Sequence, residues 1–195
     1  MGLIFKQIKN YIKPGPGVYV EIGSDRGEGS TRELDELAQH NNTKLITVDI
    51  SQQARNRLQN QLPHVEFVVA DGAAWAREFA WTKTDIACLY LDNFDYIWDI
   101  NEVRPAIKMQ ITEYAQRGVA MTNQQCQLEH MRQIVELYSL LTPQATVVLD
   151  DTFLKNDCWM GKSAGVVLYL LAKNWQVIYQ TLDCGVILQR VDKTT

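Results

Sequence analysis

The 195-residue chain has no low-complexity segment and no internal repeat, which excludes solenoid, propeller and array architectures. Its four cysteines, Cys88, Cys126, Cys158 and Cys184, form no C-x-x-C pair. Neither a zinc ribbon nor a thioredoxin-type redox site is therefore expected. No apolar run approaches the ~20 residues needed to span a bilayer, so no membrane partner is expected. Basic excess is also missing: the net charge is -4, which argues against a general grip on nucleic acid. The opening stretch, residues 1–17, has neither a long apolar core nor a small-residue cleavage site. It does not read as a secretory signal, and the expectation is a cytoplasmic protein with reduced thiols.

What is present is ordinary globular composition, 46% hydrophobic and 22% charged, in a length suited to one domain, 1–195. Strand-like apolar runs alternate with helical patterns, the mark of an α/β domain with a mostly parallel sheet. A short basic amphipathic piece, Leu3 to Ile12, precedes Pro14-Gly15-Pro16-Gly17. Strands are expected at Val18 to Ile22, Leu45 to Val48, Val65 to Ala70, Ile86 to Leu91 and Thr146 to Leu149. A closing antiparallel pair follows at Gln176 to Tyr179 and Gly185 to Gln189.

Between the fourth and fifth strands lie two helical patterns where a crossover needs one. The first carries Val103, Ile107, Ile111 and Tyr114, and Gly118 stops it. The second carries Leu128, Met131, Val135, Tyr138 and Leu141, and Pro143 stops it. Residues 95–118 thus read as an inserted helix at the carboxyl edge of the fourth strand. Such an insertion is expected to cover an acceptor site or to build an interface in a homo-oligomer.

Three segments carry candidate chemistry. The first, V-Y-V-E-I-G-S-D-R-G-E-G-S-T from Val18 to Thr31, places Gly23, Gly27 and Gly29 in a strand-to-helix turn. Glycines there let the backbone turn sharply and approach a ligand. Ser30 and Glu33 have the spacing of a capping box. The spacing is G-x-x-x-G-x-G, not the G-x-G-x-x-G of dinucleotide enzymes. Glu21 inside the strand end would repel a pyrophosphate and suits an amino group instead. The second segment ends at Asp49, where a carboxylate can accept both hydroxyls of a ribose. The third is A-D-G-A, Ala70 to Ala73: Asp71 can accept from an adenine amine or simply cap a helix, and Gly72 leaves room for a ring.

In this order and spacing, E-I-G-S-D-R-G-E-G-S-T, I-T-V-D-I-S and V-V-A-D-G-A resemble the cofactor motifs of class I S-adenosylmethionine-dependent methyltransferases. The resemblance spans nearly the whole chain. It implies a Rossmann-like, doubly wound sheet of order 3-2-1-4-5-7-6 with strand seven antiparallel. It also implies S-adenosylmethionine as cofactor and a small-molecule acceptor. Glu21, Gly23 and Ser24 would then lie near the methionine portion, Asp49 at the ribose and Asp71 near adenine. Gly27, Ser30, Ile50, Gly72 and Asp92 would complete the cofactor contacts.

L-Y-L-D-N-F-D with Asp92, and V-V-L-D-D-T with Asp150 and Asp151, further resemble the metal-site segments of the catechol O-methyltransferase-like and cephalosporin-hydroxylase-like branch, methyltransferase family 24. That resemblance implies a divalent cation such as Mg²⁺ on Asp92, Asp150 and Asp151, and O-methylation of a small metabolite or sugar hydroxyl. The catechol-type lysine base, three residues after the first metal aspartate, is replaced here by Asp95. Catalytic candidates are accordingly Asp92, Asp95, His130 and Lys162, with Lys155 a further lysine after the aspartate pair. Trp159 and the aromatic run Asn93 to Asp99 are candidate wall residues or core packing. Two other functions fit a similar sheet: an NAD- or nucleotide-sugar-binding oxidoreductase, and a non-catalytic partner subunit that has kept the pocket.

Overall fold

The computed structural model describes residues 4–24, 29–94, 96–97, 105–181 and 185–191. A 3-10 helix, Ile4–Asn10, leads into β1 (Val18–Ile22), α1 (Ser30–His40), β2 (Leu45–Asp49), α2 (Gln52–Leu58), β3 (Val65–Val69), α3 (Gly72–Ala80) and β4 (Ile86–Leu91). Next come α4 (Pro105–Gln116), α5 (Asn123–Leu137), a 3-10 turn (Tyr138–Leu140) and β5 (Leu141–Asp150). The chain closes with β6 (Thr152–Lys155), β7 (Cys158–Gly161), α6 (Ala164–Leu171), β8 (Trp175–Thr181) and β9 (Gly185–Arg190).

Seven strands form one sheet of order β3-β2-β1-β4-β5-β9-β8. β1 to β5 pair in parallel, and β9 is antiparallel to both β5 and β8. This is the expected α/β architecture. Its numbering differs from 3-2-1-4-5-7-6 only because a two-stranded hairpin, β6-β7, intervenes before the last two strands.

Period-two alternation along the strands supplies two cores. Val20 and Ile22 of β1, Leu89 and Leu91 of β4, and Val147 and Leu149 of β5 face one side. There they meet Ala76 of α3, Ile134 of α5 and Val166 of α6. Tyr19, Cys88, Tyr90, Val148 and Ile187 face the other side, under Leu34 and Ala38 of α1 and Ile4 and Ile8 of the 3-10 helix. The sheet is covered on both faces, so its carboxyl edge is where a ligand can enter.

Three sequence expectations need correction. The fifth strand begins at Leu141, and Pro143 is not a helix stop. It sits at a register break between the Ile86–Leu141 and Cys88–Thr146 pairs, where its missing N–H is not needed. The hairpin was not anticipated, because Asn156 and Asp157 make its turn with positive φ (49° and 59°) and no glycine. The α5 face is also rotated from the apolar pattern. Leu128 and Val135 are exposed, while Cys126, Glu129, His130, Gln133, Ile134 and Leu137 point inward.

Candidate functional site

Parallel pairing brings the carboxyl ends of β1, β2, β3 and β4 to one edge, and with them Gly23, Asp49, Asp71 and Asp92. Gly23 has φ +101°, and a Cβ there would lie 2.4 Å from the Asn93 nitrogen. Only glycine lets the two loops approach so closely. The Gly23 N–H donates to the Val48 carbonyl at 2.8 Å. Asp49 is held from two directions: the Ser24 N–H reaches Oδ2 at 3.0 Å and the Ser51 N–H reaches Oδ1 at 2.7 Å. The Ser24 hydroxyl also lies 3.5 Å from Oδ2, and Asp49 lines the cleft.

Together with Ile22, Ile50, Gly72, Asn93 and Tyr114, these residues line a cleft of about 310 Å³, mouth included. Asp71 lines it too, but its Oδ1 accepts the Ala74 N–H at 2.8 Å and so caps α3. Gly72 is needed for closeness: a Cβ there would lie 2.6 Å from both Gln133 Nε2 and Ile22 Cγ2.

Glu21 is fully buried beneath the glycine turn rather than in the cleft wall. Its Oε2 accepts from the Thr31 and Thr47 hydroxyls at 2.7 and 2.6 Å, and Ser30 adds a further side-chain bond. Burial pushes its carboxyl up to about 7 against these lowering contacts. Ser30 is therefore not the helix cap that the capping-box spacing suggested. Gly29 holds the cap position, and Ser30 is turned inward to Glu21. Gly27 and Asp95 lie outside the described residues.

The described part of the expected insertion lies on this same edge. Phe94 packs against Tyr114 of α4 with tilted rings, centroids 5.0 Å apart, within a small apolar cluster that includes Ile107, Met121 and Cys126. Arg117 donates to the Ile50 carbonyl and pairs with Glu113 at 3.2 Å. The α4 helix thus leans on the cleft through Tyr114, and Arg117 just past its end reaches Ile50.

Several buried polar atoms around the cleft have no hydrogen-bond partner among the described residues: Glu21 Oε1, Asn93 Oδ1, and both amide atoms of Gln133. Each such atom costs roughly 1–3 kcal/mol unless something satisfies it. The sequence marks Asn93 only as the start of a candidate wall run and does not mark Gln133. Gln133 lies on the polar inward face of α5, which no apolar periodicity marks.

Asp92, Asp150 and Asp151 do converge, since β4 and β5 are neighbours, but a lysine comes with them. Lys162 Nζ lies 2.7 Å from Asp92 Oδ1 and 3.1 Å from Asp151 Oδ2, and the residue is 1% exposed. Burial works against its charge, but Asp92, Asp151 and Asp150 outweigh burial and hold the ammonium well above the usual lysine range. It stays protonated at neutral pH, which rules it out as a general base. Asp150 accepts the Tyr90 hydroxyl at 3.3 Å and the Asp151 N–H at 2.9 Å, and burial raises its carboxyl. The divalent cation expected on these three aspartates does not fit a cluster already centred on an ammonium. Among the described residues, no group of three or more histidine, cysteine or acidic side chains is arranged to hold a metal. Lys155 is exposed on the hairpin, and Trp159 packs against the main core.

His130 is fully buried with both ring nitrogens engaged. Its Nε2 lies 3.0 Å from the Asn93 carbonyl, which can only accept. Nε2 therefore carries the proton, and Nδ1 accepts from the Ser163 hydroxyl. Burial, with Lys162 nearby, lowers its pKa to about 3. Sealed from the cleft, His130 does not fit the catalytic role expected of it. It ties the loop carrying Asp92 to the loop carrying Lys162.

No protein-family model and no curated protein sequence matches the chain. Solved structures do. CalS11, a TDP-rhamnose 3'-O-methyltransferase of calicheamicin biosynthesis, superposes with a TM-score of 0.62 at 15% identity, covering 97% of this chain and 78% of that one. The chain has a methyltransferase fold. SMU.1697c from Streptococcus mutans, provisionally assigned as a methyltransferase and solved with SAH, gives 0.57 at 13% identity over 97% and 96% of the two chains. A TehB-like SAM-dependent methyltransferase from Corynebacterium glutamicum gives 0.53 at 8% identity over 96% and 87%. At these identities the likeness is one of fold. Among the described residues, no helix is long and apolar enough to cross a membrane.

Proposed function

We propose that the chain is an S-adenosylmethionine-dependent methyltransferase acting on a hydroxyl of a small metabolite or sugar. The observation that carries this reading is the cleft at the carboxyl edge. There Asp49 is preset by Ser24 and Ser51, Gly23 admits a close ligand, and the buried Asn93 Oδ1 has no partner among the described residues. Asp49 would receive the ribose hydroxyls, and the cleft walls at Ile50 and Gly72 would flank the base. When bound, S-adenosylmethionine supplies an electrophilic methyl group on a sulfonium. The sugar O-methyltransferase among the structural neighbours supports the acceptor class.

Asp92 is the residue placed to take the acceptor's proton. Its side chain is 26% exposed, next to the cleft residue Asn93, while Lys162 fixes one of its oxygens. Burial raises its carboxyl, partly countered by Lys162 and reinforced by Asp150 and Asp151. The aspartates after β4 and β5 resemble those of the catechol-type branch, and here a lysine stands among them.

The test is release of S-adenosylhomocysteine from S-adenosylmethionine across a panel of hydroxylated metabolites and nucleotide sugars. Turnover is expected with at least one acceptor class. Asp92→Asn should lower kcat by about 10²–10⁴-fold, while product affinity changes by less than about threefold. Tight cofactor binding with no turnover on any acceptor would instead favour a partner subunit that has kept only the pocket.

A further inference from the structure

The Lys162 ammonium has three N–H donors and meets three oxygens: Asp92 Oδ1 at 2.7 Å, Asp151 Oδ2 at 3.1 Å and the Asp92 carbonyl at 3.4 Å. Two of its donors are spent on Asp92 and its charge faces Asp151, so it stands between the two carboxylates as a hard cation would. The lysine does not reach in from a distance. The β6-β7 hairpin carries its backbone back to the aspartates, with Thr152 paired to Gly161. There the Lys162 N–H donates to the Asp151 carbonyl at 3.0 Å, and the Ser163 N–H donates to Thr152 Oγ1 at 3.1 Å. Gly161, at φ +95°, permits this return, since a Cβ would lie 1.9 Å from the Asp151 carbonyl oxygen. The hairpin is therefore the device that delivers a positive charge to one spot.

Three carboxylates at the ends of adjacent strands demand such a charge. Without it they repel, and the protein must either protonate them or recruit a cation. Asp150 is partly relieved by Tyr90 and the Asp151 N–H, which leaves Asp92 and Asp151 to face the ammonium. We propose that Lys162 is a tethered cation: its ammonium fills the site that a divalent ion would otherwise take between Asp92 and Asp151, and fixes Asp92 toward the acceptor. Lys162 is on this view a positioning residue, and the wild-type protein needs no divalent ion. The proposal deepens the proposed function by naming how its acceptor side is charge-balanced.

Two measurements test it without cofactor or acceptor. In the first, Mn²⁺ is titrated calorimetrically into wild type, Lys162→Ala and Lys162→Gln at neutral pH, with folding checked by circular dichroism. Wild type should show no site. Lys162→Ala should take up one equivalent, roughly a hundredfold tighter than any wild-type binding, because two carboxylates and a carbonyl are released as oxygen ligands. In the second, the side-chain ammonium resonance of Lys162 in ¹⁵N-labelled wild type should be protected from exchange and unmoved by millimolar Mg²⁺. One Mn²⁺ equivalent bound by wild type and lost in Asp92→Asn, a folded Lys162→Ala that binds none, or an ammonium resonance displaced by Mg²⁺ would each overturn the proposal. Variants that fold only when Mn²⁺ is supplied would support it. If neither S-adenosylmethionine nor its product binds, the proposed function fails while these outcomes stand.

Discussion

Gly23→Ala should abolish detectable binding of S-adenosylhomocysteine and lower the melting temperature by roughly 10 °C. Two costs combine. The backbone at φ +101° is strained for any residue with a Cβ, and the new methyl would overlap the Asn93 nitrogen and the Asp92 carbonyl carbon at 2.4 and 2.6 Å. Backbone strain and overpacking each cost about 1–3 kcal/mol. The obstructing atoms cannot drift aside freely. The Asn93 carbonyl is held by His130 Nε2, and the Asp92 N–H donates to the Ile22 carbonyl at 2.9 Å. The strain must therefore spread the β1 and β4 loops, the two walls that Gly23 and Asn93 contribute to the cleft. Differential scanning calorimetry with and without the ligand measures both effects. Unchanged stability and affinity would mean that the close approach of these loops is not needed.

The second large effect is an acid-dependent loss of stability that passes through His130. Its imidazole titrates near 3 in the folded protein and near 6.5 when free. Between those values the unfolded chain binds a proton that the folded chain refuses, so stability falls as pH falls. The contribution is complete above pH 6.5 and shrinks by about 1.4 kcal/mol per unit down toward pH 3. Lys162 works in the same direction, since it disfavours a second buried positive charge beside it. Glu21 works in the opposite direction. Its folded carboxyl titrates at about 7 against an ordinary 4.5, so its contribution is present below 4.5 and lost as pH rises to 7. A single stability profile mixes the two.

The difference between wild type and His130→Gln separates them, because Glu21 is common to both. The variant should be less stable at pH 7, having lost the bond to Ser163, but flatter toward acid. The gap between the two proteins should narrow by about 2–3 kcal/mol between pH 6.5 and pH 4.5. Urea titrations at those two values measure it. Parallel profiles would show that the imidazole is not held neutral.

How much of this was legible in the sequence depends on what each residue does. Asp49, Asp71 and Asp92 could be found because they end apolar runs, and parallel strands carry their carboxyl ends to one edge. Glu21 was legible as an unusual carboxylate but not as a buried one, since its hydroxyl partners Thr31 and Thr47 come from α1 and β2. The α5 helix misled because its inward face is polar: Glu129, His130 and Gln133 are buried while Leu128 and Val135 are exposed. A hydrophobic pattern cannot mark these polar positions, although Ile134 and Leu137 of the same face enter the core. Lys162 misled for a different reason. It lies eleven residues beyond Asp151, and only a hairpin whose turn has no glycine returns it there. Reading three aspartates as a cation site was sound electrostatics, but the chain itself carries the cation.

The central claim is that the cleft at Gly23 and Asp49 receives an adenosyl cofactor. Calorimetric titration of S-adenosylhomocysteine into wild type and Asp49→Ala tests it most directly. Wild type should bind one equivalent. Asp49→Ala should bind about ten- to a hundredfold more weakly, since a hydrogen bond to a charged carboxylate is worth ~1.5–3 kcal/mol. Absence of heat and of any thermal shift in wild type, with either S-adenosylmethionine or its product, would contradict the claim.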